Sequence, residues 1–144
     1  RNIMLLCLIY CVFYGIHYLL SSAITGMLMT FISSIRNICF YTSAKKGRQN
    51  SHLSLIAFVL IGIFGMAFTY QNIFSIVSTC GNIISTYSVW QSSVFKYRVL
   101  SILVSICFLI YAISIGSIFA ILTETCLLII EIICVYKYRK EVLN

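Results

Sequence analysis

The sequence predicts an all-α, polytopic bundle of transmembrane helices, and three observations carry that prediction. The chain holds six apolar runs, Ile3–Leu20, Ser22–Tyr41, Leu53–Tyr70, Ile73–Trp90, Val99–Ile115 and Ile118–Tyr136. Each has roughly the 17–25 residues that a helix needs to cross a hydrocarbon core about 30 Å thick. The lysines and arginines stand at alternate ends of these runs: Arg1; Arg36, Lys45, Lys46 and Arg48; Lys96 and Arg98; Lys137, Arg139 and Lys140. The intervening turns at Ser21, Gln71-Asn72 and Gly116-Ser117 carry none, so six crossings hold every positive charge on the cytoplasmic face. Composition agrees: 61% of residues are hydrophobic and 9% charged, with a mean hydropathy of +1.03, outside the range of soluble domains.

Helices are preferred to strands because backbone polar groups in lipid must be satisfied within their own segment, and these runs lack a barrel's alternation. The first run, ending at Ser21-Ser22-Ala23, imitates a secretory leader. A chain opening on arginine instead of methionine reads better as the interior of a longer one, so this run is kept as a span. The second run carries Thr30, Ser33, Ser34 and Asn37 at i, i+3, i+4 and i+7, and Arg36 beside them. The fourth carries Ser78, Asn82 and Ser85 at i, i+4 and i+7, near Gly81. The fifth follows Lys96 and Arg98, and the sixth holds Glu124 and Glu131, two turns apart on one face. The polar stripes of spans two and four are expected to turn inward, since they must face protein or water.

Polar connectors at Thr42–His52 and Gln91–Tyr97 divide this single transmembrane domain into segments 1–48, 51–96 and 97–144. Outer turns of a few residues make the helices of each hairpin antiparallel neighbours. The first and third segments align: Arg1 with Arg98, Leu6 with Leu103, Ile9 with Ile106 and Tyr14 with Tyr111. After a three-residue difference in the turn, Ile24 aligns with Ile118, Thr30 with Glu124 and Asn37 with Glu131. Parallel repeats require an odd number of helices between them. A helix before Arg1 would supply a 3+1+3 layout, with Leu53–Tyr70 as linker and Ile73–Trp90 leading the second repeat.

Three stretches carry a family resemblance: Gly81-Asn82-Ile83-Ile84-Ser85-Thr86-Tyr87-Ser88, Arg36-Asn37, and Gly116-Ser117-Ile118 with Glu124. In these, and over nearly its whole length, the chain resembles the YgjV-type bacterial inner-membrane proteins, a family without an assigned activity. The resemblance implies a bacterial inner-membrane location and a helix ahead of Arg1. Helix order alone resembles the SWEET and PQ-loop transporters. The chain departs from these patterns in having no proline, with Ser78 where a proline is implied, and Ala112 where a polar residue is implied.

Ionisable groups inside a bilayer cost about 2.5–3.5 kcal/mol on insertion scales, so each needs a reason. Arg36 and Glu131 fall at nearly the same depth, counted from the outer turns, and form either an interhelical ion pair or two separate groups drawn to the inner surface. Glu124 has no cation at its depth, which makes it the candidate for proton coupling or solute binding. The alternative is a neutral acid packed against a neighbouring helix. His17 either pairs with Glu124 or sits wet at the interface. Asn82, Asn37, Thr30, Tyr14 and Tyr111 complete the candidate solute-binding set, Asn82 because its amide both donates and accepts.

Other classes find little support. Seven cysteines lie inside the spans and read as packing residues. Cys7 and Cys11 share a face without further ligands, so no metal or cofactor is implied. No phosphate loop, His-Glu-x-x-His or Ser/His/Asp set occurs, which argues against an enzyme. The net charge of +7 is scattered at helix ends with no basic face for nucleic acid. The expected partners are the bilayer, a small polar solute and a further copy of the chain. The leading function is a small-solute transporter with its site between two repeats, and the competing one is a non-transporting packing or assembly component.

Overall fold

In the computed structural model the described residues are 2–45, 51–70, 72–91 and 93–143, with side chains placed for 11–43, 51–70, 72–91, 93 and 95–137. Arg1, Lys46, Arg48 and Gln71, and the side chains of Cys7, Lys45, Arg139 and Lys140, lie outside this set. The apolar runs become helices α1 (Asn2–Leu20), α2 (Ile24–Lys45), α3 (His52–Thr69), α4 (Ile73–Trp90), α5 (Val94–Ile115) and α6 (Ile118–Leu143). Three of them, over His52–Thr69, Phe95–Ile115 and Ile118–Lys137, are long and apolar enough to cross a membrane by length and composition. Helices α2 and α4 are as long, but their polar stripes lower the average.

Helices α2, α5 and α6 run past the predicted spans. Helix α5 starts at Val94, not Val99, because Ser93 caps it by accepting from the Lys96 amide at 3.5 Å. The Gln91–Tyr97 connector is therefore shorter than expected, and the boundary between 96 and 97 falls inside the first turn of α5. Lysine and arginine end an apolar run without ending a helix. Asn72 caps α4 through the amides of Phe74 and Ser75, and Ser51 caps α3 through Leu53.

The two outer turns that join α1 to α2 and α5 to α6 are the same. Ser22 (φ 56°) and Gly116 (φ 72°) are left-handed. Behind them the amide of Ala23 reaches the carbonyl of Tyr18, and Ser22 reaches Leu19. The pair Ser117 to Ala112 and Gly116 to Ile113 repeats that pattern, so both helices end in a Schellman motif. The expected three-residue difference is thus absent from the turn. In turn register Tyr111 corresponds to His17, and Tyr14 to Phe108.

Packing follows the circuit α1 with α2, α2 with α4, α4 with α5 and α5 with α6, while among the described residues α3 packs on α2 and α4. Among the described residues no Cα pair of α1 and α6 lies within 8 Å. Side chains close that gap: Tyr14 bonds Glu124, and His17 shares a 2.7 Å hydrogen bond with Ser117 while its ring meets Phe119. Five helices thus form a ring, with α3 outside it. On the outer face of α3, Leu53, Phe64 and Phe68 (87% exposed) are left uncovered by the bundle. The described buried residues of α4, the central helix, are Ser75, Ser78, Thr79, Gly81, Asn82, Thr86 and Ser88, all small or polar, as expected of a helix packed on three sides in a bilayer.

Candidate functional site

The ring surrounds a half-open cavity of about 360 Å³. Helix α6 contributes Glu124, Leu127 and Glu131. Helix α2 contributes Thr30, Ser33, Arg36 and Asn37, spaced to share one face, and α1 adds Cys11 and Tyr14. Towards the basic end the wall passes through Ser85, Ser88 and Val89 of α4. Helix α5 completes it with Tyr97, Ser101, Val104, Ser105 and Phe108. Six residues singled out from the sequence therefore meet at one space: Tyr14, Thr30, Arg36, Asn37, Glu124 and Glu131.

Asn82, Tyr111 and His17 do not line it. Asn82 stands behind Arg36, its Oδ1 accepting from Ser33 (3.0 Å) and Arg36 (3.2 Å) and its amide donating to Sδ of Met29. With both ends engaged, and only 2% exposed, Asn82 supports the wall from behind and does not line the cavity. Tyr111 packs against Tyr18, and its hydroxyl accepts from the Gly26 amide at 3.1 Å. His17 bonds Ser117, not Glu124. Tyr14, nearly one turn deeper on α1, takes the carboxyl instead.

Arg36 is 2% exposed. A guanidinium can be held there only if its donors find partners. Nη1 donates to the Asn82 carbonyl, Asn82 Oδ1 and Thr86 Oγ1, and Nη2 to Ser85 and Asn37. Nε donates to Asn37 as well. This fan joins α2 to α4, so Arg36 does not extend to the head groups. Glu131 is held by α5, accepting from Ser105 at 2.8 Å with Ser101 also within hydrogen-bonding reach. Arg36 and Glu131 line one cavity, each bonded to its own neighbouring helix.

Glu124 is 3% exposed. Its Oε1 accepts the Tyr14 phenol at 2.6 Å. Most other hydroxyls on the wall donate to protein oxygens. Thr30 gives to the Gly26 carbonyl, Ser33 to Asn82, Ser88 to the Tyr97 carbonyl and Ser101 to the Arg98 carbonyl.

The family model Imp-YgjV, described as bacterial inner membrane protein, matches residues 1–142. The chain belongs to that family. This Imp-YgjV protein is therefore an integral protein of the bacterial inner membrane, its apolar helices in contact with lipid. No curated protein and no solved structure matches it.

Sequence reasoning missed Ser101 and Ser105 in this Imp-YgjV site. A signal was present: two serines four apart, and so on one face, in the largely apolar span just before the one that carries Glu131. Among the described residues no group of histidine, cysteine and acidic side chains is placed to hold a metal.

Proposed function

We propose that this protein carries a small polar solute across the inner membrane through the cavity between its first and last hairpins. One observation supports the reading above all: two carboxylates, a guanidinium and several hydroxyls converge on a single space inside an apolar bundle. A bundle that only needed to pack would gain more from filling such a space with apolar side chains. On this reading Glu124, Asn37, Thr30 and Tyr14 face the solute, and Arg36 and Glu131 form the end nearer the basic connectors. Those connectors and the C-terminus face the cytoplasm. The protein is a facilitator and not an enzyme.

Ser105→Cys, placed in a background without the native cysteines, tests whether the cavity is wet. A charged, water-soluble thiol reagent applied to oriented vesicles should label it from one side, and a solute should protect it. Flux into proteoliposomes, measured with labelled sugars, amino acids and amines, should appear with the native chain and fall with Glu124→Gln. An unreactive cysteine and no flux would instead favour a packing or assembly component.

A further inference from the structure

We propose that the cavity takes a small aliphatic amine cation, and that its best occupant is a short diamine held between Glu124 and Glu131. This deepens the transport reading and rests on it. Donors on the cavity wall are already committed. The phenol of Tyr14 and the hydroxyls of Thr30, Ser33, Ser88, Ser101 and Ser105 give their protons to protein oxygens. Nε, Nη1 and Nη2 of Arg36 all donate to neutral oxygens of α2 or α4. Ser85, which accepts from Arg36, and the amide NH₂ of Asn37 are among the exceptions.

Acceptors remain open. Glu124 is more than nine-tenths buried, lines the cavity, and engages Tyr14 through Oε1 alone, leaving Oε2 to the space. Glu131 takes the serines Ser105 and Ser101 as neighbours, and a carboxylate with about four lone-pair sites keeps capacity for a further donor. A wall rich in acceptors and short of donors suits a ligand that only donates, and an ammonium has three donors and no acceptor. A carboxylate or phosphate would find few free donors there.

The spacing selects among amines. Seven residues of helix place the two carboxyls about 10 Å apart along the axis, and charge-assisted bonds of about 2.8 Å at each end leave roughly 5–8 Å between nitrogens. Leu127, one turn from each acid, lies between them, with Val104 and Phe108 of α5 on the same wall. Methylenes would lie over this apolar strip while the ends meet carboxylate.

Titration calorimetry on the purified full chain tests this with four-carbon probes: 1,4-diaminobutane, n-butylamine and γ-aminobutyrate. Diaminobutane should bind, butylamine about tenfold more weakly or worse, and γ-aminobutyrate not at all. Glu131→Gln should lower diaminobutane to the level of butylamine, and Glu124→Gln should weaken both. Leu127→Trp, which fills the strip and keeps both charges, should remove binding, and it serves if a glutamine variant fails to fold. Equal binding of diaminobutane and butylamine, binding of γ-aminobutyrate, or undiminished binding to a folded Glu124→Gln/Glu131→Gln chain would overturn the proposal. If Ser105→Cys is labelled but no amine binds, the amine class fails and transport stands; if it is not labelled, both fail.

Discussion

The phenol of Tyr14 donates to Oε1 of Glu124 over 2.6 Å, joining the first helix to the last across 110 positions of sequence. The α1 and α6 backbones stay apart, so this bond and that of His17 with Ser117 close the ring. Tyr14→Phe removes the donor and leaves a buried carboxyl short of a partner. The expected loss is about 1–3 kcal/mol, read from thermal unfolding in detergent. Combined with Glu124→Gln it should cost clearly less than the sum of the single changes, because the two residues share one interaction. Additive losses would show that the contact contributes nothing.

Gly26 sits where α2 begins, and a Cβ there would stand 3.0 Å from the Tyr111 ring and 3.1 Å from the Tyr18 ring. Gly26→Ala must displace two buried aromatics and should destabilise by about 1–3 kcal/mol. Crowding also strains the bond from the Gly26 amide to Tyr111, so Tyr111→Phe should lessen the penalty little. A melting temperature for Gly26→Ala equal to that of the native chain would contradict this packing.

The matched turns predict opposite signs. Gly116→Ala puts a side chain on a left-handed residue and should cost about 1 kcal/mol. Ser22→Gly relieves the same strain and should leave stability unchanged or raise it by a few tenths of a kcal/mol, as a left-handed helix end favours glycine. The two melting temperatures, taken side by side, check the assignment.

Arg36→Lys keeps the charge and loses the fan of hydrogen bonds to α4. An ammonium reaches fewer of those oxygens and cannot hold them in one plane. The expected destabilisation is at least about 2 kcal/mol. Proteolysis at the α2–α3 connector should rise with it if α2 loosens from α4. A lysine variant as stable as the native chain would mean that the guanidinium geometry is unimportant.

Most of the fold was legible because lipid imposes length and continuity on each span. The ends of α2, α5 and α6 were less so: past the hydrocarbon a helix needs capping and propensity, not apolarity, and Ser93 decided where α5 starts. Spacing revealed the inward stripes of α2 and α4, since residues four apart share a face whatever surrounds them. What Glu124 bonds to was not readable. Its partner depends on how α1 and α6 are rotated about their axes and how far apart they stand, which no local pattern records. The place of Asn82 behind the wall was hidden for a related reason: a central position in the sequence of α4 says nothing of Arg36 lying in front of it.

Because Ser22 and Gly116 launch their helices from one geometry, Thr30 and Glu124 stand eight positions beyond their turns, and Asn37 and Glu131 fifteen. One hairpin thus presents acids where its counterpart presents an uncharged hydroxyl and amide. The cavity is electrically lopsided although its scaffold is nearly even-handed. A cation moving along it would keep to the α6 side, and the two hairpins could not trade duties without exchanging those four side chains.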